Sequence, residues 1–163
     1  MNTSDNLQKP AEKYITFMIA QEKCGLLLSE IGNIQSWRNM KTVSQTRNGV
    51  IGKITSFQER DIPVLDLRER LGLGVANCNE HTLIIEAIPN STCKHAIVGL
   101  AIDTVRPFQD VSLQGIKEQS HYKGKIKKAF VQAVGMCGEN AITILRLSQI
   151  VNSGVKHDAE KIQ

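Results

Sequence analysis

Aromatic side chains are scarce: one Trp, two Tyr and four Phe make up 4% of the 163 residues. A binder of single-stranded nucleic acid needs stacking platforms beside its positive charge, and so few aromatics supply little of that, so no nucleic-acid partner is expected. No apolar run approaches the ~20 residues that cross a bilayer. The opening M-N-T-S-D-N-L-Q-K-P-A-E-K has no apolar core of signal-peptide length, so the expectation is a cytoplasmic protein without direct membrane insertion. Cys24, Cys78, Cys93 and Cys137 form no C-x-x-C pair and have no histidine at ligand spacing. That argues against a zinc site or a disulfide framework and leaves them as reduced, small apolar residues. His81, His95, His121 and His157 are far apart, and H-E-x-x-H, G-x-S-x-G and G-x-x-x-x-G-K are all missing, so no catalytic group, metal or cofactor is expected. Net charge is +4, which implies no strongly electrostatic partner, and neither a heptad nor a long repeat is evident.

What is present suits a compact β protein. Hydrophobic residues make up 41% of the chain, enough for a good core at this length. A single domain over residues 14–152 is expected, with a flexible N-terminal tail at 1–13 and a polar tail at 153–163. Tyr14 to Ala20 alternates with a period of two, Gln21 to Gly25 supplies a turn, and Leu26 to Leu28 begins a second strand. Ser29, Ile31 and Ile34 suggest a capped helical turn leading to Trp37. The hairpin signal Asn48-Gly49 precedes a strand over Val50 to Phe57, and the polar run Gln58 to Asp61 turns the chain again. Later strands read at Thr82 to Glu86, at Ile97 to Val105 closed by Pro107, and at Phe130 to Val134 and Ile142 to Leu147, with a hairpin candidate in the loop to His95. Leu147, Ile150 and Val151 have the spacing of a short C-terminal helix. Many short strands with frequent turns predict barrels or a sandwich.

The most informative stretch is Ile62 to Leu73, I-P-V-L-D-L-R-E-R-L-G-L. Ile62 to Leu65 is apolar on both sides of the pleat, which predicts a strand between two layers, and Pro63 predicts an edge or a bulge. Asp66 fits a helix N-cap with Glu69 as its capping-box partner, and Gly72 suits a left-handed stop. In G-L-A-I-D-T-V, Gly99 permits close approach of a neighbouring layer, and a strand-end hydrogen bond accounts for Asp103.

These two segments, in this order, resemble the motifs P-V-L-D-L-R-x-R-L-G-L and G-L-x-I-D-x-V of the CheW-like family of bacterial chemotaxis coupling proteins, and the resemblance spans Tyr14 to Val151. It implies an all-β fold of two small five-stranded β-barrel subdomains packed side by side, with short helical turns. It implies a non-catalytic adaptor without a cofactor. The expected partners are the regulatory domain of a CheA-type histidine kinase and the helical tip of a chemoreceptor. Asp66, Arg68, Gly99 and Asp103 are then motif-organising residues. Ile31 and Ile34 match positions facing the receptor or the other barrel, with burial in the core as the alternative.

Two departures stand out. The family carries a glutamate in V-x-E-I and an arginine in G-V-I-N-L-R-G; aligned without gaps, Asn33 and Gln58 occupy those places, and Lys53 and Glu59 replace the motif's two glycines. Losing both members of a charge pair avoids stranding one, which costs ~3–5 kcal/mol when buried. Asn33 and Gln58 are therefore expected either to meet through a neutral amide contact or to be ordinary surface amides. With Ile31 and Ile34 they are the candidate partner-binding residues. The family's final L-L-D is I-L-R here, at Ile144 to Arg146. Lys117 to Lys128 holds five lysines against Glu118. It reads as a solvated loop, as a contact for acidic groups on a partner or, in the alternative reading of a nucleic-acid-binding β-barrel, as the binding segment.

Overall fold

The computed structural model describes residues 13–47, 49–74, 79–89, 97–110, 112–118, 120 and 122–151. Their strands are β1 (Lys13–Ile19), β2 (Glu22–Leu27), β3 (Ile31–Ser36), β4 (Lys41–Arg47), β5 (Val50–Thr55), β6 (Asp61–Asp66), β7 (Leu83–Ala87), β8 (Val98–Ile102), β9 (Thr104–Asp110), β10 (Ser112–Glu118), β11 (Val131–Cys137) and β12 (Asn140–Leu145). One helical turn, α1 (Leu67–Arg70), follows β6, and the chain is helical again at 147–151. Lys13, expected in the N-terminal tail, begins β1; the rest of the expected tails, the loop to His95, Cys78, Cys93 and His121 lie outside the described residues.

Two sheets form, in the orders β10-β11-β12-β2-β1-β9 and β3-β7-β8-β6-β5-β4. The all-β, two-subdomain expectation therefore holds, with six strands in each sheet where five were expected. The chain starts the first sheet with β1 and β2, builds the whole second sheet from β3 to β8, and returns to finish the first with β9 to β12. A parallel pairing completes each sheet: β12 with β2, and β6 with β8. The main core is shared, because Phe17, Ile19 and Leu26 of the first sheet pack in one cluster with Leu65, Ile85 and Leu100 of the second. Gly99 lies on β8, where a Cβ would stand 2.8 Å from Ile84 of β7 and 3.1 Å from Val64 of β6, so the crowding it relieves comes from the flanking strands of its own sheet and not from the neighbouring layer that was expected.

Several local expectations are corrected. The helical turn is confined to Leu28–Glu30, and Ile31, Asn33 and Ile34 lie on β3, where pairing with β7 satisfies the backbone better than an isolated turn. The first turn is only Ala20 and Gln21, since β2 begins at Glu22. Pro63 is on an interior strand between β5 and β8, yet β8 pairing begins one residue later at Val64, so its missing N–H costs no ladder bond there. Pro107 does not close the element: β9 runs through it as an edge strand, with a register shift against β1 between Tyr14 and Thr16. At the expected Asn48-Gly49 hairpin, β4 and β5 pair in the register Arg47 with Val50 and Gly49 has φ +81°, while Asn48 lies outside the described residues.

Candidate functional site

Three of the four motif residues, Asp66, Arg68 and Asp103, lie together where the chain passes between the sheets, whereas Gly99 sits within β8 opposite Val64. Asp66 ends β6 and caps α1, its carboxylate accepting from the N–H groups of Arg68 at 3.1 Å and Glu69 at 3.4 Å. The reciprocal half of the expected capping box is not made, because the Asp66 N–H donates to Gly49 O at 2.7 Å and Glu69 is exposed. Gly72 (φ +80°) donates to Glu69 O and Leu73 to Arg68 O, the pair of bonds that stops a helix with a left-handed residue.

This short helix aims Arg68 at Asp103, the residue joining β8 to β9, with Nη2 2.5 Å from Oδ2. The same Oδ2 accepts from the Ala20 N–H at 2.9 Å. Ala20 (φ +47°) and Gln21 (φ +71°) form the β1–β2 turn in the left-handed region without glycine. Such residues persist only where surrounding contacts hold them, and Asp103 is that contact. One carboxylate thus ties a hairpin of the first sheet to the helix that follows the central strand of the second.

The candidate partner-binding residues are only partly brought together. Ile31 and Ile34 are half-buried and pack against the shared core. Asn33 and Gln58 are both exposed, and among the described residues no hydrogen bond joins them, so the neutral amide contact is not formed. Instead the Gln58 N–H donates to Ser56 Oγ, inside a tight turn closed by Ser56 N–H to Arg60 O at 2.7 Å. A different pair links β3 to this turn. The side chain of Glu86 on β7 is fully buried (0% exposed); its Oε2 accepts from Gln35 Nε2 at 2.7 Å and its Oε1 from the Phe57 N–H at 2.8 Å. Gln35 Nε2 also reaches Thr55 O at 2.8 Å, and Asn39 Nδ2 donates to Gln35 Oε1 at 3.2 Å.

The consequence is an exposed aromatic held in place. Phe57 is 45% exposed and its ring lies over Gly32, where a Cβ would collide with it, beside Ile88. Gln35, Phe57 and Glu86 were not singled out from the sequence. The signals were there: a lone carboxylate in the otherwise apolar L-I-I-E-A, and a lone aromatic in the polar T-S-F-Q-E-R-D.

Among the described residues no three His, Cys, Asp or Glu side chains are placed to hold a metal ion. No helix among them is long and apolar enough to cross a membrane. Cys24 is buried, and burial, aided by the charge of Glu22, pushes its thiol well above its ordinary value of 9.0. Since the folded state holds this proton more tightly than the unfolded chain, the associated stability is intact below pH 9.0 and is lost as pH rises above it. The loss approaches about 1.4 kcal/mol per pH unit. Burial raises the Tyr122 hydroxyl in the same sense. Urea unfolding at rising alkaline pH is expected to show wild type losing its advantage over Cys24→Ala. Parallel pH profiles for the two proteins would rule out Cys24 as the source.

A family model described as CheW-like domain matches residues 13–155. Among solved structures, the scaffolding protein TtCheW from Thermoanaerobacter tengcongensis superposes with a TM-score of 0.71 at 22% identity, covering 84% of this chain and 90% of that one. No curated protein matches in sequence.

Proposed function

Because the chain belongs to the family of CheW-like domains, we propose that it is a cytoplasmic, non-catalytic adaptor coupling chemoreceptors to a CheA-type histidine kinase in chemotaxis signalling. The observation that carries this reading is the surface on β3 and the β5–β6 turn. There Phe57 stands exposed over Gly32, flanked by Asn33 and Gln58, the positions matched to the family's charged pair. A large aromatic on a rigid mount is the kind of residue that dominates association energy, since little entropy is lost in ordering it. With neutral amides in place of a charge pair, recognition here rests on shape and apolar contact rather than on ionic register. That favours an auxiliary pathway, such as type IV pilus control, over the main flagellar array.

The test is binding of the purified chain to the regulatory domain of a histidine kinase from its own source, with and without a receptor tip. Phe57→Ala is expected to weaken one of these interactions by at least about tenfold, a loss of ~1.4 kcal/mol or more, and to leave the fold intact. Saturable binding to both partners supports the adaptor; binding to neither would sink the proposal.

A further inference from the structure

The segment Y-K-G-K-I-K-K-A-F at 122–130 is anchored to the core and presents its charge outward. Tyr122, Ile126 and Phe130 are buried in the shared core, whereas Lys123, Lys125, Lys127 and Lys128 are exposed. The Tyr122 hydroxyl accepts from the Ile126 N–H at 2.8 Å, closing the loop upon its own anchor. Gly124 fits only because it lacks a Cβ, which would run into the Tyr122 ring. Lys127 lies along the end of α1, its Cε 3.5 Å from where a Cβ of Gly72 would stand. From Gln119 to Gly138 the sequence has no Asp or Glu. Among the described residues no ion pair joins Lys123, Lys125 or Lys127 to a carboxylate, and Glu69, the acid of α1, is not bridged to Lys127.

We infer that this lysine ledge is a docking site for an acidic polypeptide segment of a partner protein. Ammonium groups held together on an anchored loop repel one another, and an incoming anion relieves that repulsion. Because Tyr122, Ile126 and Gly124 already fix the loop, binding orders little more than the lysine side chains. The chemistry selects among anions. The loop's aromatic residues, Tyr122 and Phe130, are both buried, so no ring is presented for a base to stack on. Its apolar residues face the core, so nothing is available to insert into a lipid surface. All four charges are lysines, point charges suited to separate carboxylates, with no arginine fork for bidentate phosphate recognition. This assignment concerns a different part of the fold from Phe57 and does not depend on the receptor and kinase reading.

The experiment titrates the full-length chain with fluorescein-labelled poly-L-glutamate of about 20 residues at about 50 and 300 mM salt, either side of the range in which surface charges are screened. A single-stranded oligonucleotide of equal charge and anionic phosphatidylglycerol vesicles are run beside it. Poly-glutamate is expected to bind more tightly than either, to weaken at least about tenfold at the higher salt, and to lose a similar factor in the triple variant Lys123→Gln, Lys125→Gln, Lys127→Gln. Lys41→Gln with Lys53→Gln, on the other sheet, is expected to leave binding unchanged. Undiminished binding by the triple variant would overturn the assignment. So would preference for the oligonucleotide or for vesicles, or an equal loss in the control variant. All the substituted lysines are exposed, so circular dichroism is expected to match wild type.

Discussion

Asp103→Ala is expected to lower the unfolding free energy by about 2–3 kcal/mol. The carboxylate accepts one hydrogen bond from a guanidinium and one from a backbone N–H, and bonds to a charged group contribute ~1.5–3 kcal/mol. Both side chains are about a third exposed, at 29% and 31%, so the ionic share is screened and the estimate stays at the low end of that for a buried pair. Removing Asp103 also releases the left-handed turn at Ala20 and Gln21 from the contact that holds it. Ala20→Gly is therefore expected to recover about 1 kcal/mol in the Asp103→Ala background, more than it contributes alone, because glycine adopts that φ without strain. Asp103→Asn keeps an acceptor for the Ala20 N–H and is expected to lose about half as much as alanine. Urea unfolding of wild type and these four variants checks this. An Asp103→Ala loss within about 0.5 kcal/mol, the range of ordinary surface changes, would remove the clamp.

Glu86→Ala is expected to cost about 3–4 kcal/mol, or roughly 6–16 °C in Tm for a chain of this size. The substitution opens a cavity at a fully buried position and takes the acceptor from the Phe57 N–H and from one hydrogen of the Gln35 amide, whose nitrogen keeps its bond to Thr55 O. A buried donor left without a partner costs ~1–3 kcal/mol, and these part-buried ones fall toward the low end of that range, with the cavity supplying the rest. Glu86→Gln preserves volume and is informative for that reason. Whichever way its amide turns, an NH2 group faces either the Phe57 N–H or the Gln35 NH2, so it is expected to lose about 1.5–3 kcal/mol with no cavity. Gln35→Glu combined with Glu86→Gln reverses donor and acceptor on that side chain pair and is expected to restore part of the loss. If Glu86→Gln is as stable as wild type by thermal unfolding, the carboxylate does not hold the turn. Because the same bond fixes the Phe57 backbone, partner binding at that aromatic is expected to fall with the stability of the turn, even at temperatures where the protein stays folded.

The strands read correctly from the sequence share one property, and those missed share the opposite. β1, β6, β7, β8, β11 and β12 are interior in their sheets or carry runs such as V-G-L-A-I, buried at every position. The strands not delineated were β3, read as a helical turn, β4, β9 and β10, and these are the four sheet edges; the one interior strand misplaced is β2, which starts at Glu22 and not at Leu26 because E-K-C-G reads as a turn. An edge strand borrows its hydrogen bonds from one neighbour and shows much of its surface to water, so it can be polar: K-T-V-S-Q-T-R and S-L-Q-G-I-K-E carry almost no periodic apolar signal. The same logic explains the prolines. Pro63 sits in an interior strand at a place where one neighbour has not yet begun, and Pro107 sits in an edge strand at a shifted register.

The motif residues divide in the same way. By itself the sequence determined what is local: the cap at Asp66, the stop at Gly72, the family and its two-subdomain β fold, because each depends on neighbours within a few residues or on a pattern of burial. Only the tertiary structure decided which distant groups meet. It joined Arg68 to Asp103 and Ala20, put Gln35 and the Phe57 N–H on Glu86 rather than Asn33 on Gln58, and turned the lysines of 123–128 outward. Those partners are separated by up to 83 residues, and a buried carboxylate takes whichever donors the packing of the two sheets brings to it, a choice that no local spacing records.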